Sequence, residues 1–87
     1  MANILIIEDD EVFSELLAMY LEDRNHDPQS ARTLEQARKL LKLNVPDLIL
    51  LDQQLPDGFG IDIMKEIVEQ SPHPPVIMIT GVSDNTL

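Results

Sequence analysis

Three short stretches of this chain are apolar at every position, and the segments between them repeat their apolar residues every three or four. Ile4-Leu5-Ile6-Ile7, Leu48-Ile49-Leu50-Leu51 and Val76-Ile77-Met78-Ile79 read as strands buried on both faces, the pattern of a parallel sheet. After the first run, Val12, Leu16 and Tyr20, and beside them Phe13, Leu17 and Leu21, have helical spacing as far as about Asn25. Gln29 to Ala31 follows Pro28 and reads as a short edge strand at best, because proline cannot donate to a ladder. Thr33 with Gln36 forms a capping-box pattern, and Leu34, Ala37, Leu40 and Leu41 line one helical face to Leu43. The second strand ends at Asp52, and Leu55-Pro56-Asp57-Gly58-Phe59-Gly60 is dense in turn residues. Ile61, Met64 and Val68, with Ile63 and Ile67, predict a third helix, which Ser71 to Pro75 breaks. Ser83 to Thr86 resembles a helix N-terminus. The alternation predicts an α/β fold, a parallel sheet with helices on both faces, in one domain over residues 1–87.

Charge narrows the partners. Sixteen acidic residues against six basic ones give a net charge of −10, which argues against direct binding to nucleic acid or to an anionic membrane surface. With no cysteine and two histidines, disulfides, thiolate nucleophiles and the usual zinc ligand sets are excluded, and a cytoplasmic location fits. The apolar runs stop at four residues, whereas a membrane span needs about 20.

In an open α/β sheet, ligands bind beyond the carboxyl ends of the strands. Here those ends carry Glu8 and Asp9, Asp52, and Thr80, so three carboxylates and a hydroxyl are predicted to converge. Like charges so close repel unless a cation neutralises them, and an oxygen-only donor set points to Mg2+. A carboxylate beside Mg2+ can attack a phosphoryl group and become an aspartyl phosphate, and Asp52, directly after the most apolar strand, is the best nucleophile candidate. Read singly, Glu8-Asp9-Asp10 is a solvated acidic run and Thr80 a turn residue; only their joint placement at strand ends lifts them. His26 and His73 read as solvent-facing, and Phe13, Met19, Tyr20, Met64 and Met78 as packing residues.

Ile4 to Asp10, Pro46 to Gly58 and Pro75 to Gly81 together resemble a bacterial two-component response-regulator receiver domain, with three motifs in the right order across nearly the whole chain. The resemblance implies a flavodoxin-like (CheY-like) doubly wound sheet of order 2-1-3-4. It implies that Asp52 is the phosphoacceptor and that Asp9 ligates Mg2+ directly, with Glu8 acting through water and the Gln54 backbone carbonyl as a further ligand. Thr80 would be the hydroxyl that holds the phosphoryl group. A sensor histidine kinase or phosphotransfer protein would be the donor, and an output module outside this chain, such as a DNA-binding domain, the recipient of the signal. The chain would be a phosphoacceptor and not an enzyme in its own right.

Receiver domains have five strand-helix units, and this sequence resembles one cut short before the fifth strand and last helices. The family's lysine after the fifth strand is missing, and Lys39, Lys42 and Lys65 are placed on helices away from the strand ends. The fourth strand, Val76 to Thr80, is then expected to be an open edge through which the fragment dimerises or swaps elements, or which leaves it only marginally folded. Two other readings stay open: a passive Mg2+ or Ca2+ binding module, and a haloacid-dehalogenase-type phosphatase. The latter needs a second Asp where this chain has Gln54.

Overall fold

The computed structural model describes residues 1–79. Thr80 and the helix start expected at Ser83 to Thr86 lie outside the described residues. Nine elements follow one another: β1 (Asn3–Ile7), α1 (Glu11–Asp23), β2 (Asp27–Ala31), α2 (Leu34–Leu43), β3 (Leu48–Asp52), β4 (Gln54–Leu55), β5 (Gly58–Phe59), α3 (Gly60–Val68) and β6 (Val76–Ile79). β2, β1, β3 and β6 form a four-stranded parallel sheet in that order, so β6 is the fourth strand that the sequence predicts and the 2-1-3-4 order holds.

The two-faced strands divide their side chains by alternation. Leu5 and Ile7 of β1 and Ile49 and Leu51 of β3 face a core completed by Leu34 and Ala37 of α2 and Ile63 and Ile67 of α3. Ile4, Ile6 and Leu50 point the other way, against Leu17, Ala18 and Leu21 of α1. Helices therefore cover both faces, which is what permits strands without a polar side. An α1 side chain can meet the sheet along only one stripe, and the Leu17 and Leu21 row occupies it. Val12, Leu16, Met19 and Tyr20 are instead exposed, contrary to the packing role expected for Met19 and Tyr20. Tyr20 places its ring 3.8 Å from the Arg24 guanidinium carbon.

β2 is longer than expected, with five residues including Pro28, which pairs with Ile4. It tolerates proline because it is the sheet's edge. α1 ends where Asn25 adopts a left-handed φ of 66° and the His26 N–H reaches the Leu21 carbonyl at 3.0 Å. His26 is not simply solvent-facing: its Nδ1 accepts the Ala2 N–H at 3.1 Å and helps seat the start of β1. His73 is exposed, as predicted.

The start of α2 departs from the capping box in an informative way. Thr33 Oγ1 accepts the Gln36 N–H at 3.0 Å as expected, but Gln36 Oε1 accepts from Arg32 at 2.8 Å, one residue before the cap. The Leu34 and Glu35 N–H groups are taken by a residue far along the chain, Asp57, at 2.8 and 3.1 Å. The turn Pro56-Asp57 joins β4 to β5 as a short antiparallel hairpin, which the sequence signals only as a turn. The backbone N–H groups of Leu34 and Glu35 hold the Asp57 carboxyl below its usual value of 3.8. A carboxylate with a lowered folded-state pKa stabilises the fold above its unfolded pKa, and that contribution is lost as pH falls through the folded value. Asp57→Asn is therefore expected to unfold at lower urea than the unmodified chain near neutrality. The gap should shrink as pH drops below 3.8; a gap independent of pH would show that the charge on Asp57 contributes nothing.

Candidate functional site

Register brings the acidic residues together. Ile4 to Ile7 pair with Leu48 to Leu51, so the next residue of each strand, Glu8 and Asp52, lies side by side at the carboxyl edge of the sheet. This is also where the strand order reverses, since β1 leads outward to β2 and β3 to β6. Carboxylate oxygens of Glu8, Asp9 and Asp52 lie within 4.8 Å of one another, as the sequence predicts. Glu8 is 1% exposed and Asp52 5%, while Asp9 is open to solvent.

Glu8 is fixed at both ends: its N–H donates to the Ala31 carbonyl of β2 at 2.9 Å, and its Oε2 accepts the Asp10 N–H at 2.9 Å. Its other oxygen, Oε1, is buried with no hydrogen-bond partner among the described residues. Burial, with Asp52 and Asp9 beside it and against the pull of the Asp10 N–H, pushes the Glu8 carboxyl up to about 7. A buried carboxylate oxygen without a donor is costly in a metal-free protein, and a cation beside it removes that cost. The donors here are all hard oxygens, so the cluster fits Mg2+ or a similar divalent ion and does not fit a sulfur- or imidazole-bound metal.

Asp52 has one oxygen, Oδ1, held by the N–H of Gln53 at 2.8 Å. Its backbone is clamped from below. Gly60 opens α3 with its N–H on the Gln53 carbonyl at 2.8 Å, and a Cβ at Gly60 would collide with the Asp52 carbonyl oxygen. Only glycine allows α3 to begin so close to the end of β3. Gln54 lies two residues past Asp52, in β4 and paired with Phe59. Asp10 stands apart from the cluster, capping α1 through Oδ1 on the Phe13 N–H at 3.0 Å.

Lys39 and Lys42 lie on α2 and Lys65 on α3, as the sequence predicts. Two hollows, of about 300 and 460 Å3, lie away from the carboxylates, one at the starts of β1 and β2 and one between α2 and α3. Sequence reasoning missed Asp57, whose role depends on a helix start 23 residues upstream. It also missed the cap at Asp10, although an acid three residues before Phe13 was a readable signal.

Comparison with known proteins agrees with this geometry. Residues 4–87 match the family model of the response regulator receiver domain. The chain is 42% identical over 77 residues to the response regulator protein PilR of Pseudomonas aeruginosa, covering 88% of this chain and 17% of that protein. It is 36% identical over 79 residues to the alkaline phosphatase synthesis transcriptional regulatory protein PhoP of Bacillus subtilis, covering 91% of this chain and 33% of that one. Among solved structures, the MaeR response regulator bound to beryllium trifluoride superposes with a TM-score of 0.84 at 38% identity, over 94% of this chain and 69% of that chain. The non-phosphorylated HemR receiver domain from Leptospira biflexa superposes with a TM-score of 0.86 at 34% identity, over 98% of this chain and 68% of that one.

Proposed function

The chain belongs to the response-regulator receiver family, and from that premise we propose that it accepts a phosphoryl group on Asp52 from a sensor histidine kinase or phosphotransfer protein. The observation that carries the proposal is the buried Asp52 carboxylate at the end of β3, with Glu8 and Asp9 oxygens within 4.8 Å. Asp9, Asp52 and the Gln54 carbonyl would hold Mg2+, with Glu8 supporting it through water. When bound, the ion neutralises the carboxylates and the phosphoryl oxygens, so that an anion can approach an anionic nucleophile.

The rest is the work of this chain's own groups. The Asp52 oxygen not held by the Gln53 N–H attacks phosphorus; the new O–P bond forms as the donor's P–N bond breaks, and the departing imidazole takes up a proton. The Gln53 N–H and the clamp at Gly60 keep the carboxylate from turning away. Thr80 would donate its hydroxyl to a phosphoryl oxygen. In this reading the chain is a phosphoacceptor and not a turnover enzyme, acts in the cytoplasm, and binds no nucleic acid itself. The chain spans 17% and 33% of the length of the two curated relatives compared. A signal-receiving output module belongs to the same proposal, and a transcriptional regulatory role such as the PhoP relative's name states would fall to that module.

Incubation with Mg2+ and acetyl phosphate, followed by intact-mass spectrometry, tests the reading. One phosphoryl adduct is expected, absent in Asp52→Asn and in the presence of chelator. No adduct on the unmodified chain, with Mg2+ still bound, would favour a passive metal-binding module instead. We further propose that the chain self-associates through β6, which is an edge strand among the described residues and leaves Ile77 51% exposed. Sedimentation velocity should show a concentration-dependent dimer that Ile77→Lys abolishes; a single monomer at all concentrations would contradict it.

A further inference from the structure

The turn between β4 and β5 does more than reverse the chain. Both oxygens of its Asp57 are bound to the first turn of α2, on the N–H groups of Leu34 and Glu35 at 2.8 and 3.1 Å. The next residue, Gly58, has a φ of +153°, and a Cβ there would stand 2.8 Å from Leu34 Cδ1, so the turn runs too close to α2 to carry a side chain at this position. Leu55, just before the turn, is 5% exposed and packs in the core that Leu34, Ala37 and Ile63 share. The root of this hairpin is Asp52 and Gln53, closed by the Gly60 N–H on the Gln53 carbonyl at 2.8 Å. The first turn of α2 itself follows Ala31, whose carbonyl accepts the Glu8 N–H at 2.9 Å. Glu8 and Asp52 are thus joined by one path of bonds, from Glu8 through Ala31 to the start of α2, through Asp57 to the hairpin, and back to Asp52.

We infer that Asp57 is a positioning residue for the divalent-cation site: by tying the hairpin tip to the start of α2 it fixes the backbone of residues 53–59 and with it the Gln54 carbonyl. The inference rests on the reading of Glu8, Asp9, Asp52 and the Gln54 carbonyl as the Mg2+ site. Gln54 is the only member of that set that would contribute through its main chain, so its contribution depends on where the backbone is held and not on a side-chain rotamer. A hairpin released from α2 has more conformations to lose when the ion binds, and affinity falls accordingly. The contact is charge-assisted and accepts two otherwise unpartnered helix-start donors, which makes it a strong tether for a single side chain.

Magnesium titration of the 15N-labelled chain, followed by amide chemical shifts and by amide exchange, tests this. Asp57→Ala is expected to weaken Mg2+ binding about tenfold, the low end of the loss seen when a group that orients metal ligands is removed. It should also speed exchange in residues 53–60 before metal is added. Asp57→Asn, which keeps one acceptor oxygen without the charge, should fall between the two. Thr33→Ala is the control: it removes the bond from the Gln36 N–H, a cap on the same helix turn, without touching the hairpin. It is expected to lower stability but leave Mg2+ affinity unchanged. Equal losses of affinity in Thr33→Ala and Asp57→Ala, or unchanged affinity in Asp57→Ala, would overturn the inference. A chain that binds no Mg2+ and behaves as Asp52→Asn does would instead overturn the metal reading on which it stands.

Discussion

Glu8, Asp9 and Asp52 carry carboxylate oxygens within 4.8 Å of one another, and two of the three residues are almost fully buried. Charges at such separations repel by about 4 kcal/mol at an effective dielectric of 20, a large fraction of the net stability of a small domain. The chain cannot relax this by moving them apart. Glu8 and Asp52 terminate adjacent strands whose register is set by Ile4 to Ile7 against Leu48 to Leu51, residues buried on both faces. A slip of one residue would exchange the side chains of the shifted strand between the two cores, into neighbours that do not fit them. The hydrophobic sheet therefore holds an electrostatically unfavourable cluster in place, and Glu8 reveals the strain through a carboxyl pushed up to about 7 and an oxygen with no partner among the described residues.

The surrounding elements are arranged around that edge. α1 begins immediately after the Glu8 to Asp10 run, with Asp10 spent on its cap and so kept out of the cluster. α2 is capped from the far side of the site by Asp57, and α3 starts on a glycine pressed against the Asp52 carbonyl. Exposed ion pairs such as Arg38 with Glu66, at 2.7 Å between α2 and α3, add little by comparison, because solvent screens them. Placement of the carboxylates is thus a property of backbone packing and not of side-chain rotamers.

Much of this was legible in the sequence because the signals were local. Two-faced apolar runs identify the central strands, and an acid directly after each of two such runs identifies the cluster. What escaped reading depends on contacts between distant segments. Asp57 in a Pro-Asp-Gly turn looks like turn chemistry alone, and nothing near it shows that its carboxylate reaches the start of α2. The apolar row at Val12, Leu16 and Tyr20 has helical spacing as good as that of Leu17 and Leu21, and only the position of α1 over Ile4, Ile6 and Leu50 decides which row is covered. Pro28 argues against a strand until its place at the sheet edge is known. Thr80, the next residue in the sequence after β6, lies outside the described residues.

If the fold holds a strained carboxylate cluster that a divalent cation would relieve, thermal unfolding of the unmodified chain and of Glu8→Gln, with and without Mg2+, should show it. The folded-state carboxyl of Glu8 is raised from 4.5 to about 7, so its contribution to stability is lost as pH rises through that interval, and above it Glu8 is ionised at a cost. At about pH 8 and without metal, Glu8→Gln is expected to unfold at the higher temperature, since glutamine keeps an acceptor for the Asp10 N–H without the charge. Mg2+ should raise the unfolding temperature of the unmodified chain more than that of the variant and close or reverse the gap. An unmodified chain already more stable than Glu8→Gln without metal, and unmoved by Mg2+, would contradict it.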